Sequence, residues 1–496
     1  MDKVTPPTVG ARDTEHGTHR AGIPFGTDGW RGIIADDCTF DGVRRVAAAT
    51  ARVYAAGTGP GDRRRIVVGY DTRFFSPEFA RVAAEIFACA GIDVLLTDRP
   101  IPTPAVSFHV RRLGLAGGVA ITASHNPAPY NGFKVKAHFG GSAPPELYAQ
   151  ISANADLPLP DAARPGRIET TDLLAPYRDG LAALLQLPAI RRAGLGVLAD
   201  SMHGAAGTLV SDVVDGGATR VVAFRAERDV LFGGVHPEPI GANLRASSRE
   251  VVSGGLDLAV AHDGDADRLG VLDRRGDFVS PHRVLALLIL HAFRRRGLSG
   301  GIAKTFSTSL LIDRIAAALG APLIETPIGF KHVADLMNRG EAVAGGEESG
   351  GYAFAFHLPE RDGVFNALLL LESLALTDRD LDGALSDLES EFGAFAYGRR
   401  DVYLPVPVIS AYLAEAEGEP PPEIGGIRVT GVVKTDGVKY QFDGNGWLLQ
   451  RLSGTEPMVR LYCEHREPET VERVLDDADS RLKEFSTRRT KRAEGS

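Results

Sequence analysis

Cysteine is scarce in this chain. Only Cys38, Cys89 and Cys463 occur, widely spaced and with no CxxC pair, so no disulfide framework is legible. Such usage fits a reducing, cytoplasmic setting, with the thiols serving as small buried packing groups. Long apolar runs are also missing. The longest, Val284 to Leu290, falls far short of the ~20 residues that a membrane span needs, and Met1 to His19 is polar, with no signal core. An excess of positive charge is absent as well: the net charge of -9 argues against nucleic acid as a partner and leaves small anions open, because local basic loops can still bind them.

What is present is enough apolar residues, over 496 positions, to fill about three or four cores. One pattern recurs three times: an apolar strand, a polar turn, an amphipathic helix ending at glycine, and a second strand. The first copy starts at Ile66-Val67-Val68-Gly69-Tyr70, has Ser76 as helix cap with Pro77 next, and returns at Val94 to Leu96. The second starts at Gly196 to Ala199, with a helix from about Ala205 to Val214 and a strand at Val221 to Phe224. The third runs from Ile302 to Lys304, through a helix from about Leu310 to Leu319, to Pro322 to Ile324. Strands alternating with helices predict three similar mixed α/β domains.

The C-terminal part alternates apolar with polar residues and carries a turn signal at Asp443-Gly444-Asn445-Gly446. A helix from about Glu469 to Phe485 follows, so a fourth, α+β domain is expected, with a surface loop between Pro405 and Gly426. The expected boundaries are 21–164, 165–279, 280–392 and 393–486, with loose termini at 1–20 and 487–496.

Four loops carry chemistry. Thr122-Ala123-Ser124-His125-Asn126-Pro127 puts a hydroxyl nucleophile at the end of the apolar strand Gly118 to Ile121. Serine needs a base or a cation to react, and the same letters also suit a capped turn. The G-x-S-x-G elbow of serine hydrolases is absent. Asp263-Gly264-Asp265-Ala266-Asp267-Arg268 places alternate carboxylates on a tight loop after a second apolar strand, a set suited to one hard cation. An EF-hand is excluded by Arg268 and Arg274 at its glycine and glutamate positions, whereas a phosphatase with Asp263 as nucleophile stays open. Gly345-Gly346-Glu347-Glu348-Ser349-Gly350-Gly351 offers acceptors for vicinal hydroxyls. Arg451-Leu452-Ser453-Gly454-Thr455-Glu456-Pro457 with Arg460 forms a phosphate cradle or a capped turn. Phe25 to Gly32 is a further glycine-rich loop that offers Arg31.

Together, from about Ile23 to Phe485 and in order, these loops resemble the α-D-phosphohexomutase family of phosphoglucomutases and phosphomannomutases. That resemblance implies four domains in a heart shape around a central cleft, each giving one loop. It implies that Ser124 carries the phosphoryl group and, with Asp263, Asp265 and Asp267, holds Mg²⁺. Lys134 would be the general acid/base and Arg31 would neutralise transferred charge, with His125 and Arg268 in support. Glu347, Ser349 and Lys331 would bind the sugar, and Arg451, Ser453, Gly454, Thr455 and Arg460 the phosphate not being transferred.

The reaction so implied interconverts hexose 1-phosphate and hexose 6-phosphate, with glucose 1,6-bisphosphate as intermediate and activator. Glu-Glu-Ser-Gly in the sugar loop favours glucose, with mannose second. A glucose-1,6-bisphosphate synthase, a phosphoglucosamine mutase or a catalytically dead sugar-phosphate sensor would share much of this pattern. Hexose phosphates are the expected partners of a monomer or homodimer, with neither nucleic acid nor membrane.

Overall fold

The computed structural model describes residues 23–494, except 27, 57–61, 160–161, 163, 419, 444–445 and 454–456. The described residues form four sheets, each built on one part of the chain. The first three share a plan. A central strand pairs in parallel with the strand reached through the helix: Asp62–Tyr70 with Asp93–Thr97, Gly196–Asp200 with Arg220–Phe224, and Ile302–Thr305 with Leu323–Thr326. These are the three repeats expected from the sequence.

On its other side, each central strand pairs in parallel with a further strand, which then turns back antiparallel. The three hairpins are Leu115–Ile121 with Tyr130–Ala137, Leu258–His262 with Leu269–Asp273, and Ala344–Gly346 with Tyr352–Phe354. The serine, aspartate and sugar loops occupy the tips of these hairpins. Three different chemistries therefore sit at one equivalent place in three copies of a unit, a correspondence that the strand–helix–strand pattern alone does not reveal.

The fourth sheet is antiparallel throughout, and the Arg451 loop joins its strands Gly446–Leu452 and Met458–His465. Helices Val406–Gly418 and Pro468–Glu494 pack on it through Ile409, Tyr412, Val471, Val474, Leu475, Ala478 and Leu482. One expectation is refined here and one is corrected. The segment after Pro405 is mostly helix, because Pro407 lies in a first turn, where its missing N–H costs nothing. The tail from 487 is helical through Glu494, with the preceding turns braced by Arg481–Asp477 and Lys483–Asp479 pairs. The expected turn at Gly444-Asn445 and the N-terminal segment 1–20 lie outside the described residues.

Helix Gly363–Thr377 forms the spine of the molecule. Every residue from Gly363 to Leu374 is buried, and the helix is apolar on nearly every side, as a central helix must be. Of its polar residues, Asn366 donates to the Tyr352 oxygen and Glu372 pairs with His291 and Arg296. The Asp362 carboxylate caps it by accepting from Phe365 N at 2.9 Å. Its first residue must be glycine, because a Cβ there would lie 2.3 Å from the Arg268 carbonyl oxygen. The helix thus starts against the aspartate loop and delivers Arg361, just before its cap, into the same place. Among the described residues, no helix is long and apolar enough to cross a membrane.

Candidate active site

The serine loop is held from beneath. Asp71 and Arg73 follow the central strand of the first sheet, and both are buried. Thr122 Oγ1 donates to Asp71 Oδ2 at 2.6 Å and accepts from Ser124 N at 2.8 Å. The Arg73 guanidinium donates to the carbonyl oxygens of Ser124 (2.5 Å), Asn126 (2.7 Å), Pro127 (2.9 Å) and Tyr130 (3.1 Å). Ser124 itself is in the left-handed region, with φ +53°. Its hydroxyl donates to Asp263 Oδ2 at 2.8 Å, and His125 Nδ1 lies 3.4 Å away.

The aspartate loop closes on that hydroxyl. Asp263 Oδ1 accepts from the backbone N–H groups of Asp267 (3.0 Å) and Arg268 (3.1 Å), which curls the loop around one carboxylate. Asp263, Asp265 and Asp267 are fully buried, and one carboxylate oxygen from each falls within 4.8 Å of the others. Asp265 Oδ1 and Asp267 Oδ1 have no protein donor among the described residues. Three buried carboxylates, two of them with an oxygen that has no donor among the described residues, are the donor set of a hard divalent cation, so these residues fit a metal ion.

Cations fill the rest of the shell. Lys134, directly opposite Ala120 in the serine hairpin, reaches Asp265 Oδ2 (2.8 Å), Asp267 Oδ2 (2.9 Å) and Asp28 Oδ2 (2.9 Å). Arg361 pairs with Asp28 (2.6 Å), Asp267 (2.8 Å) and, more loosely, Glu347 (3.3 Å). Residues of three domains therefore meet on one guanidinium. Thr103 Oγ1 adds a 2.6 Å bond to Asp265 Oδ2, and Arg268 pairs with Glu238 at 3.3 Å.

These contacts fix protonation. Burial, then Asp265 and Asp267, push the Asp263 carboxyl well up. Burial works on Asp265 in the same direction, but Lys134, with its hydrogen bond and that of Thr103, reverses it, and the net is a lowering. For Lys134, burial opposes the charge, yet Asp265, Asp267 and Asp28 more than compensate and raise its pKa. An ammonium held this way keeps its proton and its positive charge, and gives the proton up poorly. Burial and the surrounding cations, first Arg268, keep the His125 imidazole neutral.

The sugar loop joins this centre through backbone and side chain. Leu269 N donates to the Gly350 oxygen at 2.9 Å, and Glu347 reaches the Arg361 guanidinium. Burial pushes the Glu347 carboxyl up to about 7. Ser349 Oγ is buried without a partner among the described residues, while Glu348 is occupied by Ser307 Oγ at 2.6 Å. Lys331 stands half-buried in the first turn of helix Phe330–Asn338. Arg31, on strand Trp30–Ile33, donates to Asn126 Oδ1 at 2.6 Å.

In the fourth domain, Arg451 and Arg460 stand directly opposite each other on paired strands. Like charges so placed repel unless an anion joins them. Arg451 is steadied by Asp436 at 2.8 Å, and Asp436 also accepts from Ile328 N at 2.9 Å in the third domain. Arg460 Nε is buried and has no partner among the described residues, and Ser453 N donates to the Met458 oxygen at 2.9 Å. Gly454 and Thr455 lie outside the described residues. No hydrogen bond links this loop directly to Ser124 among the described residues.

Sequence reasoning did not single out Asp28, Asp71, Arg73, Thr103 or Arg361. Asp71 and Arg73 had a signal, being polar residues straight after an apolar strand. So did Arg361, inside Glu360-Arg361-Asp362 before a largely apolar helix.

Sequence models of the phosphoglucomutase/phosphomannomutase family match α/β/α domain I at 22–157, domain II at 175–276, domain III at 280–392 and the C-terminal domain at 413–480. The chain is 33% identical over 457 residues to a phosphoglucosamine mutase of Frankia casuarinae, covering 89% of this chain and 93% of the relative. It is 29% identical over 493 residues to a phosphoglucomutase of Komagataeibacter xylinus, covering 89% and 87%. The solved structure of a provisional phosphomannomutase from Thermus thermophilus superposes with a TM-score of 0.82 at 38% identity, covering 93% of this chain and 99% of that one. With all four domains matched in order, the chain belongs to the phosphoglucomutase/phosphomannomutase family and is a phosphohexomutase, an intramolecular phosphotransferase.

Proposed function

We propose that this enzyme interconverts glucose 1-phosphate and glucose 6-phosphate through phospho-Ser124 and a bound glucose 1,6-bisphosphate. The observation that carries the reading is the Ser124 hydroxyl at 2.8 Å from Asp263, inside a buried trio of acids. The P–Oγ bond of phospho-Ser124 breaks as a bond forms between phosphorus and the sugar's free hydroxyl. The proton of that hydroxyl leaves, and one proton returns to Ser124 Oγ. The bisphosphate then turns around and returns its other phosphoryl group to Ser124. Mg²⁺ held by Asp263, Asp265, Asp267 and the phosphoserine supplies neutralisation of the transferring charge. Lys134 and Arg31 add fixed positive charge, which suits a transfer dominated by electrostatics. Glu347 and Ser349 accept and donate to sugar hydroxyls, and Arg451 and Arg460 grip the distal phosphate.

Glucose is favoured by the Glu347-Glu348-Ser349-Gly350 sequence of the sugar loop. A second reading, glucosamine phosphate as substrate, is supported by phosphoglucosamine mutases among the relatives. A panel of glucose, mannose and glucosamine 1-phosphates, with Mg²⁺ and catalytic bisphosphate, decides between them. Glucose is expected to lead in kcat/KM by roughly tenfold. A lead for glucosamine installs the second reading, and net build-up of bisphosphate makes the enzyme a synthase.

The Glu347 carboxyl at about 7 gives a pH test. Only its ionised form accepts from sugar hydroxyls, and this acid loses its charge as pH falls. kcat/KM is therefore expected to drop by about tenfold per unit below about pH 7. Glu347→Gln should be slower but flat over that range. A limb that persists in the variant belongs to another group.

A further inference from the structure

We infer that Arg73 is the residue that positions Ser124 for phosphoryl transfer, an assignment that rests on the phosphoserine reading above. Its guanidinium has five N–H donors in a rigid plane, and all five are used. Nε meets Asp71 Oδ2 at 3.1 Å, Nη1 meets the carbonyls of Pro127 and Tyr130, and Nη2 meets those of Ser124 and Asn126. Four carbonyl oxygens gathered from a seven-residue stretch can face one point only if the loop is tightly curled. That curl is what places Ser124 in the left-handed region, which a serine does not choose on its own.

The same group is gripped from the second domain. The Phe232 ring lies under the guanidinium, 4.8 Å from its carbon. Arg228 donates to the carbonyls of Thr72 (2.9 Å) and Arg73 (3.1 Å). Gly264, in the aspartate loop, packs so closely that a Cβ would sit 2.5 Å from the Ser124 carbonyl oxygen that Arg73 holds. Arg73 thus joins the nucleophile's loop to the domain that brings the acid trio. It is fully buried, lies beneath the loop and reacts with nothing. Its effect runs through the placement of Ser124 Oγ.

Lysine cannot replace it, because an ammonium presents three donors from one point and cannot span four carbonyls. The test compares Arg73→Lys and Arg73→Gln with the unaltered enzyme. Small misplacements of a reacting group cost about 10²-fold, so kcat should fall by about that factor while KM stays within about threefold. Loading of Ser124 with radiolabelled phosphate from glucose 1,6-bisphosphate should slow in the same proportion. A soluble Arg73 variant with near-normal kcat overturns the assignment, as does one whose loss is all in KM with normal loading.

If neither variant folds, Phe232→Leu decides. It leaves the five bonds in place but removes the ring that backs them, and kcat should fall by roughly fivefold to tenfold. An unchanged kcat overturns the assignment. Ser124→Ala, run alongside, separates the two ideas. An active Ser124→Ala enzyme defeats the phosphoserine reading. An inactive one beside active Arg73 variants defeats only the role of Arg73.

Discussion

Replacing Ser124 with alanine is expected to lower hexose phosphate interconversion by about 10⁴-fold or more and to remove acid-stable phosphate from the protein. The size follows from the chemistry. A phosphoryl group that must rest on the enzyme between two transfers loses its seat when the Ser124 hydroxyl, held beside Asp263, is removed. The side chain itself is small, and its hydroxyl makes one strong bond, to Asp263. Folding should therefore change little, by about 1 kcal/mol. Activity and phosphate incorporation are read on protein whose melting curve is unshifted. Retention of a tenth of the wild-type rate would end the phosphoserine mechanism.

The second large effect is on stability. Arg361 is 5% exposed and pairs with Asp28, Asp267 and Glu347 from three domains. Arg361→Met keeps most of the stem but strands those carboxylates in a buried site, at an expected cost of about 3–5 kcal/mol. The loss should depend on pH with a definite sign. Burial works against Asp28 ionising, but Lys134, Lys136, Arg361 and Arg31 together hold its pKa well below the usual range. A depressed acid stabilises the fold above its unfolded pKa, and that contribution fades as pH falls towards the folded value. The gap between variant and wild type should accordingly narrow below about pH 4. Urea unfolding at pH 7 and at about pH 3 measures it. A gap under about 1 kcal/mol at pH 7 would show that the three carboxylates do not depend on Arg361.

Much of this architecture is legible in one dimension because its units are local. Helix Leu310–Leu319 falls where the apolar spacing and Gly320 place it, and each parallel pair follows from a strand, a helix and a strand in succession. Ser124 and the three aspartates stand out because each set is contiguous in the chain. Arg361 does not, since its partner Asp28 is 333 positions away and only the folded chain brings them together. Helix Val406–Gly418 was hidden by its prolines, Pro405 and Pro407, which mark a loop in a string of letters and a first turn in three dimensions. The second-domain helix begins at Leu209 rather than near Ala205, because Ser201 to Thr208 is spent in turns against the aspartate loop. Ser76 opens its helix without capping it. Its hydroxyl donates to Asp71 at 2.8 Å, and Phe75 takes the cap position in the left-handed region.

The three equivalent hairpins also decide where this enzyme can be altered. Each tip is anchored at both ends by paired residues, Ile121 with Phe133, His262 with Leu269, and Gly346 with Tyr352. What lies between His262 and Leu269, and between Gly346 and Tyr352, is free of the ladder's alternation. The tips can be rewritten only around the groups that hold them, Arg73 beneath the serine loop and Gly363 against the aspartate loop.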